Sequence, residues 1–201
     1  RLLVLILLIQ TGRDYVHKLH EITALGKSEA ISLEIGPFSL KEVTNTVIAS
    51  YSFRKGSEKL AKKNIEKFVD DRLADIMSCN FGNISSFWVG PEQWFIEAKS
   101  TDQPDLAQEL NKISKGTASV TEQTDAWCRF DLSGDYLEKP FSLLCNVDVP
   151  SFTGTEITRC QIDHLGCFLI CRDLKYFTVL GPRSAAGSLH HAIVNSLKAV
   201  A

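Results

Sequence analysis

The part of this sequence with the most obvious potential for chemistry is CQIDHLGCFLIC, residues 160–171. It contains Cys160, His164, Cys167 and Cys171, and both residue types bind zinc through sulfur or imidazole nitrogen. Two sulfur ligands of one zinc ion must lie within about 4 Å of each other, because each zinc–sulfur bond is about 2.3 Å long. A single extended strand would place Cys167 and Cys171 roughly 13 Å apart, which is too far.

A helix would bring the four side chains to one face, but they would then span about 16 Å along the helix axis. Gly166 and the apolar residues beside Cys167 favour a strand. Only a tight reversal between Asp163 and Gly166 would bring the sulfurs together. We therefore predict that the cysteines are buried as small hydrophobic side chains, that His164 is exposed, and that the chain has no metal site.

A second candidate is GPRSAAGSLHHAI, residues 181–193, where a loop is predicted to enter a helix. Arg183 and Ser184 stand where a helix N-terminus could bind a carboxylate or phosphate. The favoured interpretation is simpler: Ser184 caps the helix and Arg183 points to water. The adjacent His190 and His191 would diverge by about 100° on a helix, so we do not expect them to share an ion.

Other candidate residues give weaker signals. Trp88, Trp94 and Trp127 could line a ligand cleft, but tryptophans are more often core or interface anchors. The sequence has no Ser-His-Asp arrangement and no glycine-rich nucleotide motif. Carboxylates such as Asp131 have no spacing that would separate an acid from a base. We therefore expect no catalytic, no cofactor-binding and no metal-binding residue in this chain.

The composition argues against nucleic acid and membrane as partners. The chain has 22 basic and 24 acidic residues, and its net charge of −2 leaves no basic excess for an anionic surface. The cysteines follow no C-x-x-C pattern, and several, including Cys128 and Cys145, stand among apolar neighbours. This usage favours reduced thiols in a cytoplasmic protein over a disulfide framework.

The chain begins with the apolar run RLLVLILLIQ. Residues 2–9 are fewer than the about 20 apolar residues that a membrane span needs. The polar segment that follows lacks the small-x-small cleavage site of a signal peptide. We expect residues 1–16 to be an N-terminal extension and residues 17–201 to form a single domain, with two intertwined lobes as an open alternative.

Hydrophobic periodicity predicts hairpins interrupted by helices. The predicted strands are 31–35, 47–53, a hairpin over 85–98, 119–134 and two extended segments between 156 and 181. The predicted helices start at Ser57, span 101–116 and 135–145, and start again at Ser184. In the first of them, an apolar stripe is expected to run from Ala61 to Ile76. This order favours an α+β fold in which helices pack on one face of antiparallel sheets.

Several blocks of the sequence, in order, carry a resemblance to a known family. These blocks are FWVGPEQWFIEA, SVTEQTDAWCRFDL, LLCNVDV, HLGCFLI and FTVLGPRSAAGSLHHAI. Together they resemble the gamma subunits of heterotetrameric sarcosine oxidases, from about residue 17 to the end of the chain. The first sixteen residues depart from the usual start of that family.

The resemblance implies a fold similar to the folate-binding region of aminomethyltransferases. It also implies membership of a heterotetrameric enzyme complex with alpha, beta and delta subunits, which oxidatively demethylates sarcosine to glycine. In that family the one-carbon unit passes to tetrahydrofolate and electrons pass through FAD and FMN to oxygen. The alpha and beta subunits hold NAD, the flavins and folate, and the delta subunit holds zinc. The gamma subunit would then be a non-catalytic assembly subunit.

Two alternatives remain open at the level of sequence. The chain could be a free-standing folate-binding module for aminomethyl transfer. It could also be the equivalent subunit of an N-methylglutamate dehydrogenase complex, because substrate recognition in such complexes lies in other chains.

Overall fold

The computed structural model describes residues 20–201, which contain eleven strands and four α-helices. The strands are β1 (Ser32–Ile35), β2 (Phe38–Val43), β3 (Thr46–Phe53), β4 (Cys79–Asn80), β5 (Ile84–Gly90), β6 (Gln93–Lys99), β7 (Ala118–Glu122), β8 (Trp127–Gly134), β9 (Ile157–Ile162), β10 (Leu165–Asp173) and β11 (Tyr176–Pro182). The helices are α1 (Glu58–Val69), α2 (Leu106–Ser114), α3 (Glu138–Leu144) and α4 (Ala186–Val200). The N-terminal extension that we expected over residues 1–16 lies outside the described residues.

The strands form two antiparallel sheets. The six-stranded sheet has the order β1-β2-β8-β11-β10-β9, and the five-stranded sheet has the order β4-β5-β6-β3-β7. All paired neighbours run antiparallel. The five-stranded sheet is built from one continuous stretch of chain between β2 and β8, two strands that pair directly in the six-stranded sheet.

Each sheet is covered by helices on its outer face and by the other sheet on its inner face, so the domain has four layers. Alternation along each strand divides the side chains between the two faces. On the inner faces, Ile48, Phe87 and Phe95 of the five-stranded sheet pack against Phe168 and Ile170 of the six-stranded sheet. The predicted α+β class, with helices on one face of each antiparallel sheet, is confirmed.

The two outer faces bury separate cores. Helices α1 and α2 cover the five-stranded sheet, where Ile65 and Leu110 pack against Tyr51 and Ile96. Helices α3 and α4 cover the six-stranded sheet, where Phe141 and Ile193 belong to a larger core. In α4 the buried residues Leu189, Ile193 and Leu197 recur every four positions, which is the periodicity of an amphipathic helix.

Two predicted strands were wrong because each contains a break. The segment predicted as one strand over 119–134 divides into β7 and β8, which belong to different sheets. A short 3-10 helix, Thr124–Ala126, joins them. The segment 160–171, predicted as one strand, is a hairpin of β9 and β10 that turns at Asp163 and His164. Both turn residues have positive φ, 48° and 67°.

Several predicted boundaries also shift. Helix α1 ends at Val69, where Asp70 adopts a left-handed conformation, so the predicted stripe does not reach Ile76, which is 74% exposed. Helix α4 begins at Ala186 after the 3-10 turn Arg183–Ala185, so Ser184 is not its N-cap. Strand β2 was not predicted. In the part of the chain from residue 20 onward, no helix has the length and apolar character needed to cross a bilayer.

Candidate functional site

The inner faces of the two sheets enclose four buried charged side chains, which we call the ionic cluster: Glu97, Arg129, Asp131 and Arg172. Glu97 comes from β6 of the five-stranded sheet, and the other three come from β8 and β10 of the six-stranded sheet. Glu97, Arg129 and Asp131 are at most 9% exposed, and the side chain of Arg172 is 12% exposed. The cluster therefore joins the two sheets across a largely buried interface.

Strand alternation places these charges. In β8, Cys128, Phe130 and Leu132 face the helices, so Arg129 and Asp131 between them must face the other sheet. The side chains of Arg129 and Asp131 form a two-point contact, with Nε to Oδ1 and Nη2 to Oδ2 both at 2.8 Å. Paired hydrogen bonds of this kind are among the strongest that side chains make.

Glu97 extends this pair across the interface between the sheets. Its Oε2 lies 3.0 Å from Nη1 of Arg129, and its Oε1 accepts a hydrogen bond of 2.8 Å from Nη2 of Arg172. Arg172 also lies over the rings of Phe81 and Phe87, at 5.1 and 5.4 Å from their centroids. One carboxylate thus contacts two guanidinium groups that come from two strands of the opposite sheet.

Hydroxyl groups complete the cluster. Nε of Arg172 donates to Oγ1 of Thr178 at 2.7 Å, and that hydroxyl donates to Oδ1 of Asp131 at 2.7 Å. The Tyr176 hydroxyl donates to Oδ2 of Asp131. Asp131 therefore accepts hydrogen bonds from a guanidinium group, a threonine and a tyrosine, which satisfies a carboxylate that is buried away from water.

These contacts fix the protonation states. Burial disfavours the charge of Asp131, but the hydrogen bonds and charge of Arg129 outweigh it and hold the pKa of Asp131 below its ordinary value. Burial acts to lower the pKa of Arg129, yet its bonds and charge interactions with Asp131 and Glu97 raise it overall. Burial and the bond to Asp131 raise the pKa of Tyr176. Near neutral pH these three groups are therefore poor proton donors and acceptors.

The ionic cluster borders an open cleft of about 400 Å³, which Asn45, Asn83, Lys99 and Asp102 also line. A second cavity of about 410 Å³ also borders Arg129 and includes Glu42 and Trp127. Both volumes lie in the range of small-molecule sites. In the described residues, Oε2 of Glu97 lacks an aligned hydrogen-bond donor despite its contact with Arg129. That oxygen is buried against Arg129, so the accessible polar groups of the cleft come from side chains such as Asn45 and Asn83.

The cysteines of the 160–171 segment lie on the outer face of the six-stranded sheet. The hairpin places Cys160 directly opposite Cys167, and both pack in the core beneath the helices together with Cys128 and Cys171. All six cysteines of the described chain are free thiols. Burial raises the pKa of Cys128 to about 11, and the pKa of Cys167 and of Cys171 to about 12.

The reversal at residues 163–164 brings two cysteines together but does not assemble a metal site. Within residues 20–201, no group of three histidine, cysteine, aspartate or glutamate side chains has the arrangement to hold an ion. His164 lies exposed at the turn, as predicted. Cys167 and Cys171 both lie in β10, so the argument that they are too far apart to bind one ion still applies. The prediction that residues 160–171 form one strand was wrong.

At the candidate anion site, the favoured interpretation that Arg183 simply points to water was wrong, because its guanidinium group contacts two other segments of the chain. Arg183 donates a hydrogen bond of 3.1 Å to the carbonyl of Ile22, and its other terminal nitrogen lies 3.8 Å from Asp125. Ser184 is exposed. His190 packs against Phe130 at 5.8 Å between ring centroids, so it belongs to the packing of the outer face.

His191 is exposed and hydrogen-bonds to Asn195, so the two adjacent histidines diverge as predicted.

The three tryptophans are packing residues. Trp127 contacts Phe95 and Phe168 between the sheets, with ring centroids 5.7 and 5.4 Å away. Trp94 pairs with Trp88 across β5 and β6, and its indole nitrogen donates to the carbonyl of Ala74 at 2.8 Å. Trp127 alone among them also lines the cavity beside Arg129.

Comparisons with known proteins identify the fold. No family model and no curated protein sequence matches the chain. Among solved structures, a chain of the heterotetrameric sarcosine oxidase from Corynebacterium sp. U-96 is similar, with a TM-score of 0.70 and 14% identity, over 83% of this chain and 87% of that one.

The aminomethyltransferase T of the glycine cleavage system from Bartonella henselae is also similar. It has a TM-score of 0.57 and 13% identity, over 76% of this chain and 44% of that one. This chain therefore shares its α+β fold with chains of both proteins, and it matches less than half of the aminomethyltransferase.

Proposed function

We propose that this chain is a non-catalytic assembly subunit of a heterotetrameric sarcosine oxidase, in the position of a gamma subunit. The observation that carries the proposal is the fold likeness, which spans most of both chains for the sarcosine oxidase but only 44% of the aminomethyltransferase. In this proposal the alpha, beta and delta subunits hold FAD, FMN, NAD, tetrahydrofolate and zinc. The assembled complex then demethylates sarcosine to glycine.

The ionic cluster supports a structural role for the space between the sheets. Both guanidinium groups contact carboxylates of the chain itself, and Asp131 accepts bonds from three other side chains. Burying a charge is costly unless it is paired, so such contacts favour one relative placement of the two sheets. A rigid body with defined outer surfaces is what an assembly subunit needs.

Exposed apolar side chains offer the contact surface. Ile76 and Met77 are 74% and 54% exposed, and Tyr136 and Leu174 are 66% and 59% exposed. Leu174 lies near Tyr136, because the amide of Gly134 donates a hydrogen bond of 3.1 Å to the carbonyl of Lys175. Large side chains in such positions are typical anchors of protein interfaces.

Backbone hydrogen bonds at the start of β9 connect the segment of Ile76 and Met77 with the segment of Tyr136 and Leu174. The amide of Ile157 donates to the carbonyl of Met77 at 3.1 Å, and the amide of Cys171 donates to the carbonyl of Glu156 at 2.8 Å. We propose that the surface formed by Ile76 and Met77, which precede β4, and by Tyr136 and Leu174, which follow β8 and β10, contacts a larger subunit. We call it the apolar edge.

The test is co-expression with the three candidate partner chains encoded by neighbouring genes. A tagged full-length chain is expected to recover all three partners in a fixed ratio, and the recovered complex is expected to oxidise sarcosine. The double variant Ile76→Asp/Met77→Asp should lose the partners. Leu60→Asp on α1 is the matched control, because Leu60 is also exposed, at 53%, but lies on the helix layer of the five-stranded sheet.

The proposal fails if the wild-type chain is a stable monomer that recovers none of the partners. It also fails if the complex assembles and turns over sarcosine equally well without this chain. If Leu60→Asp and the double variant lose the partners equally, the apolar edge is not the contact surface. Circular dichroism of each variant establishes that the fold is retained.

A folate-binding module is the second candidate, and one observation favours it. The cleft of about 400 Å³ has the size of a small-molecule site and is lined by polar side chains such as Asn45 and Asn83. Titration of the isolated chain with tetrahydrofolate should then change its tryptophan fluorescence. An unchanged signal in the wild-type chain would exclude this candidate.

A further inference from the structure

The cavity of about 410 Å³ beside Arg129 lies where the chain crosses between the two sheets. Thr44, on the connection from β2 to β3, lines one part of it, and Thr124, on the connection from β7 to β8, lines another. The loop before β1 also contributes, through residues 21–24 among others. We call this space the crossover cavity. Because these segments are far apart in sequence, the cavity exists only in the folded chain.

The loop before β1 is held in one conformation. The Thr23 hydroxyl accepts hydrogen bonds from the amides of Leu25 and Lys27, at 3.2 and 3.3 Å, and the Thr23 amide donates to the Lys27 carbonyl at 2.8 Å. Gly26 has a φ of 72°, in the left-handed region that glycine adopts without steric cost. The cavity is therefore preformed, and a ligand does not lose affinity to ordering the loop.

One carboxylate of the cavity is buried without a cation. Phe38 and Leu40 of β2 face the outer core, so Glu42, two positions further along, faces the same side at the end of the strand. Glu42 is 5% exposed. Its Oε1 accepts a hydrogen bond of 3.1 Å from the Leu25 amide, and its Oε2 accepts one of 3.3 Å from the Ile31 amide. Within the described chain no ion pair joins Glu42 to a lysine or arginine, although buried glutamates are normally paired.

The two guanidinium groups that line the cavity have other partners. Arg129 contacts the two carboxylates of the ionic cluster. Arg183 donates to a carbonyl of the loop before β1, and its other terminal nitrogen lies 3.8 Å from Asp125. The remaining charged residues of the lining, Glu21 and Glu42, are acidic. The cavity therefore has an excess of negative charge that the chain itself does not neutralise.

The neighbouring histidine does not supply the missing positive charge. His190 of α4 interacts electrostatically with Glu42, but burial, the largest influence on it, lowers the pKa of His190. Near neutral pH this imidazole is therefore uncharged. A carboxylate has about four lone-pair positions, and the amides of Leu25 and Ile31 occupy two of them. Glu42 can therefore accept further hydrogen bonds from a charged donor in the cavity.

The crossover cavity also has an apolar wall, which Trp127, Ile48 and Leu180 line. The Trp127 ring is fixed by Phe95 and Phe168, whose ring centroids lie 5.7 and 5.4 Å away. An indole ring attracts a cation to its electron-rich face and also packs against hydrocarbon. A buried carboxylate and a fixed indole are the two kinds of contact that a small organic ammonium ion needs.

We propose that the crossover cavity binds a small organic cation, namely a primary or secondary ammonium group on a short apolar body. The ammonium group donates hydrogen bonds to Glu42, and the apolar body packs against Trp127. Glu42 repels a carboxylate of the same size, and a neutral alcohol offers only an uncharged donor, whose hydrogen bond is weaker. The site thereby selects for positive charge. It shares no residue with the apolar edge, so the two surfaces can be tested separately.

The experiment uses the full chain labelled with nitrogen-15 and titrated at pH 7 with benzylammonium chloride, benzyl alcohol or sodium benzoate at equal ionic strength. The three probes share a phenyl ring and differ in charge. The readout is the indole N–H signal of Trp127, identified by its loss in Trp127→Phe. Benzylammonium is expected to shift this signal saturably, benzyl alcohol to bind about tenfold more weakly, and benzoate to leave the signal unchanged.

Variants test whether Glu42 supplies the charge. Glu42→Gln keeps the shape of the side chain and removes its charge, so the dissociation constant for benzylammonium should rise about tenfold. Glu21→Gln is the matched control, because Glu21 also lines the cavity but is exposed, and the affinity of this variant should match the wild-type chain.

A third variant separates ligand binding from a purely structural role of Glu42 in holding the loop. Ala30→Leu leaves Glu42 intact and adds volume at an exposed position of the lining, so it should weaken the binding of benzylammonium while the chain stays folded. Unchanged binding in Ala30→Leu, equal affinities for benzylammonium and benzyl alcohol, equal effects of Glu42→Gln and Glu21→Gln, or an unshifted Trp127 signal in the wild-type chain would each overturn the proposal.

Discussion

The two faces of the six-stranded sheet place opposite chemistry on the same strands. On the inner face, β8 and β10 carry the charged side chains Arg129, Asp131 and Arg172. On the outer face, the same strands carry thiols such as Cys128 and Cys167 beneath the helices. Residues one position apart in sequence therefore lie in an ion-pair cluster or in an apolar core. A shift of register by one residue would exchange the two sets, so the register of this sheet is strongly specified.

The two faces of the sheet are stabilised by different kinds of interaction. The inner face depends on a few directional contacts, because each buried charge needs its partner in place. The outer face depends on close packing, where the loss of stability increases with the volume that a substitution adds or removes. Substitutions on the two faces should therefore fail in different ways, and the following predictions use that difference.

The largest effect is expected from Arg129→Met. It leaves Asp131 and Glu97 buried without their shared cation, and breaking a buried pair in this way costs about 3–5 kcal/mol. Urea unfolding of the purified chain measures the loss. Lys175→Met is the matched control, because its ion pair with Asp135 is exposed, at 72% and 58% for the two side chains, and its removal should leave the unfolding midpoint unchanged. Equal midpoints for both variants would mean that the cluster does not hold the sheets together.

A smaller loss is expected from Gly181→Ala on the outer face. The added methyl would lie 2.3 Å from Cδ2 of Leu189 and 3.3 Å from the sulfur of Cys167, so the buried side chains must move. Overpacking of this kind costs about 1–3 kcal/mol. Gly187→Ala is the control, on the helix α4 that carries Leu189, since its methyl meets nothing within 4 Å. It should stabilise the chain by about 0.5–1 kcal/mol through helix propensity. Changes of the same sign would contradict the packing argument.

The smallest effect is expected from acid, which should lower the free energy of unfolding by protonating Asp131 on the inner face. Near neutral pH this loss should be absent. The pKa of Asp131 is lowered in the folded chain, chiefly because the contacts of Arg129 outweigh burial. Its contribution is therefore fully present above the unfolded aspartate pKa of about 3.9 and is lost as pH falls below that value. Unfolding midpoints measured from pH 5 to pH 2 should fall less steeply in Asp131→Asn. Identical slopes would show that Asp131 is not the group responsible.

Much of the fold was predictable from local patterns. The alternation in β3 and in the β5–β6 hairpin, and the apolar spacing in α1, α2 and α4, indicated the elements within a few residues. The hairpin at Asp163 and His164 was missed for a physical reason. A two-residue turn with both φ angles positive normally contains glycine or asparagine, and neither occurs at this turn. Strand β2 was missed because Glu42 interrupts its apolar face.

The candidate site was less accessible to sequence reasoning. The pattern CRFDL does place Arg129 and Asp131 on one face of a strand with apolar residues between them, which was an available signal for a buried ion pair. The contacts of Glu97 with Arg129 and Arg172 join strands of different sheets, so only the tertiary fold brings them together.

The direct pairing of β2 with β8 has a consequence for how the chain folds. During synthesis, the whole five-stranded sheet can form while the ribosome still holds the chain, because its strands are consecutive. The hairpin of β1 and β2 must wait for Trp127 and the residues after it before it gains its neighbour. Slow loop closure between distant strands is the usual reason for slow folding, so the six-stranded sheet should complete last. Pulsed hydrogen exchange would then protect the amides of β3 and β6 before those of β2.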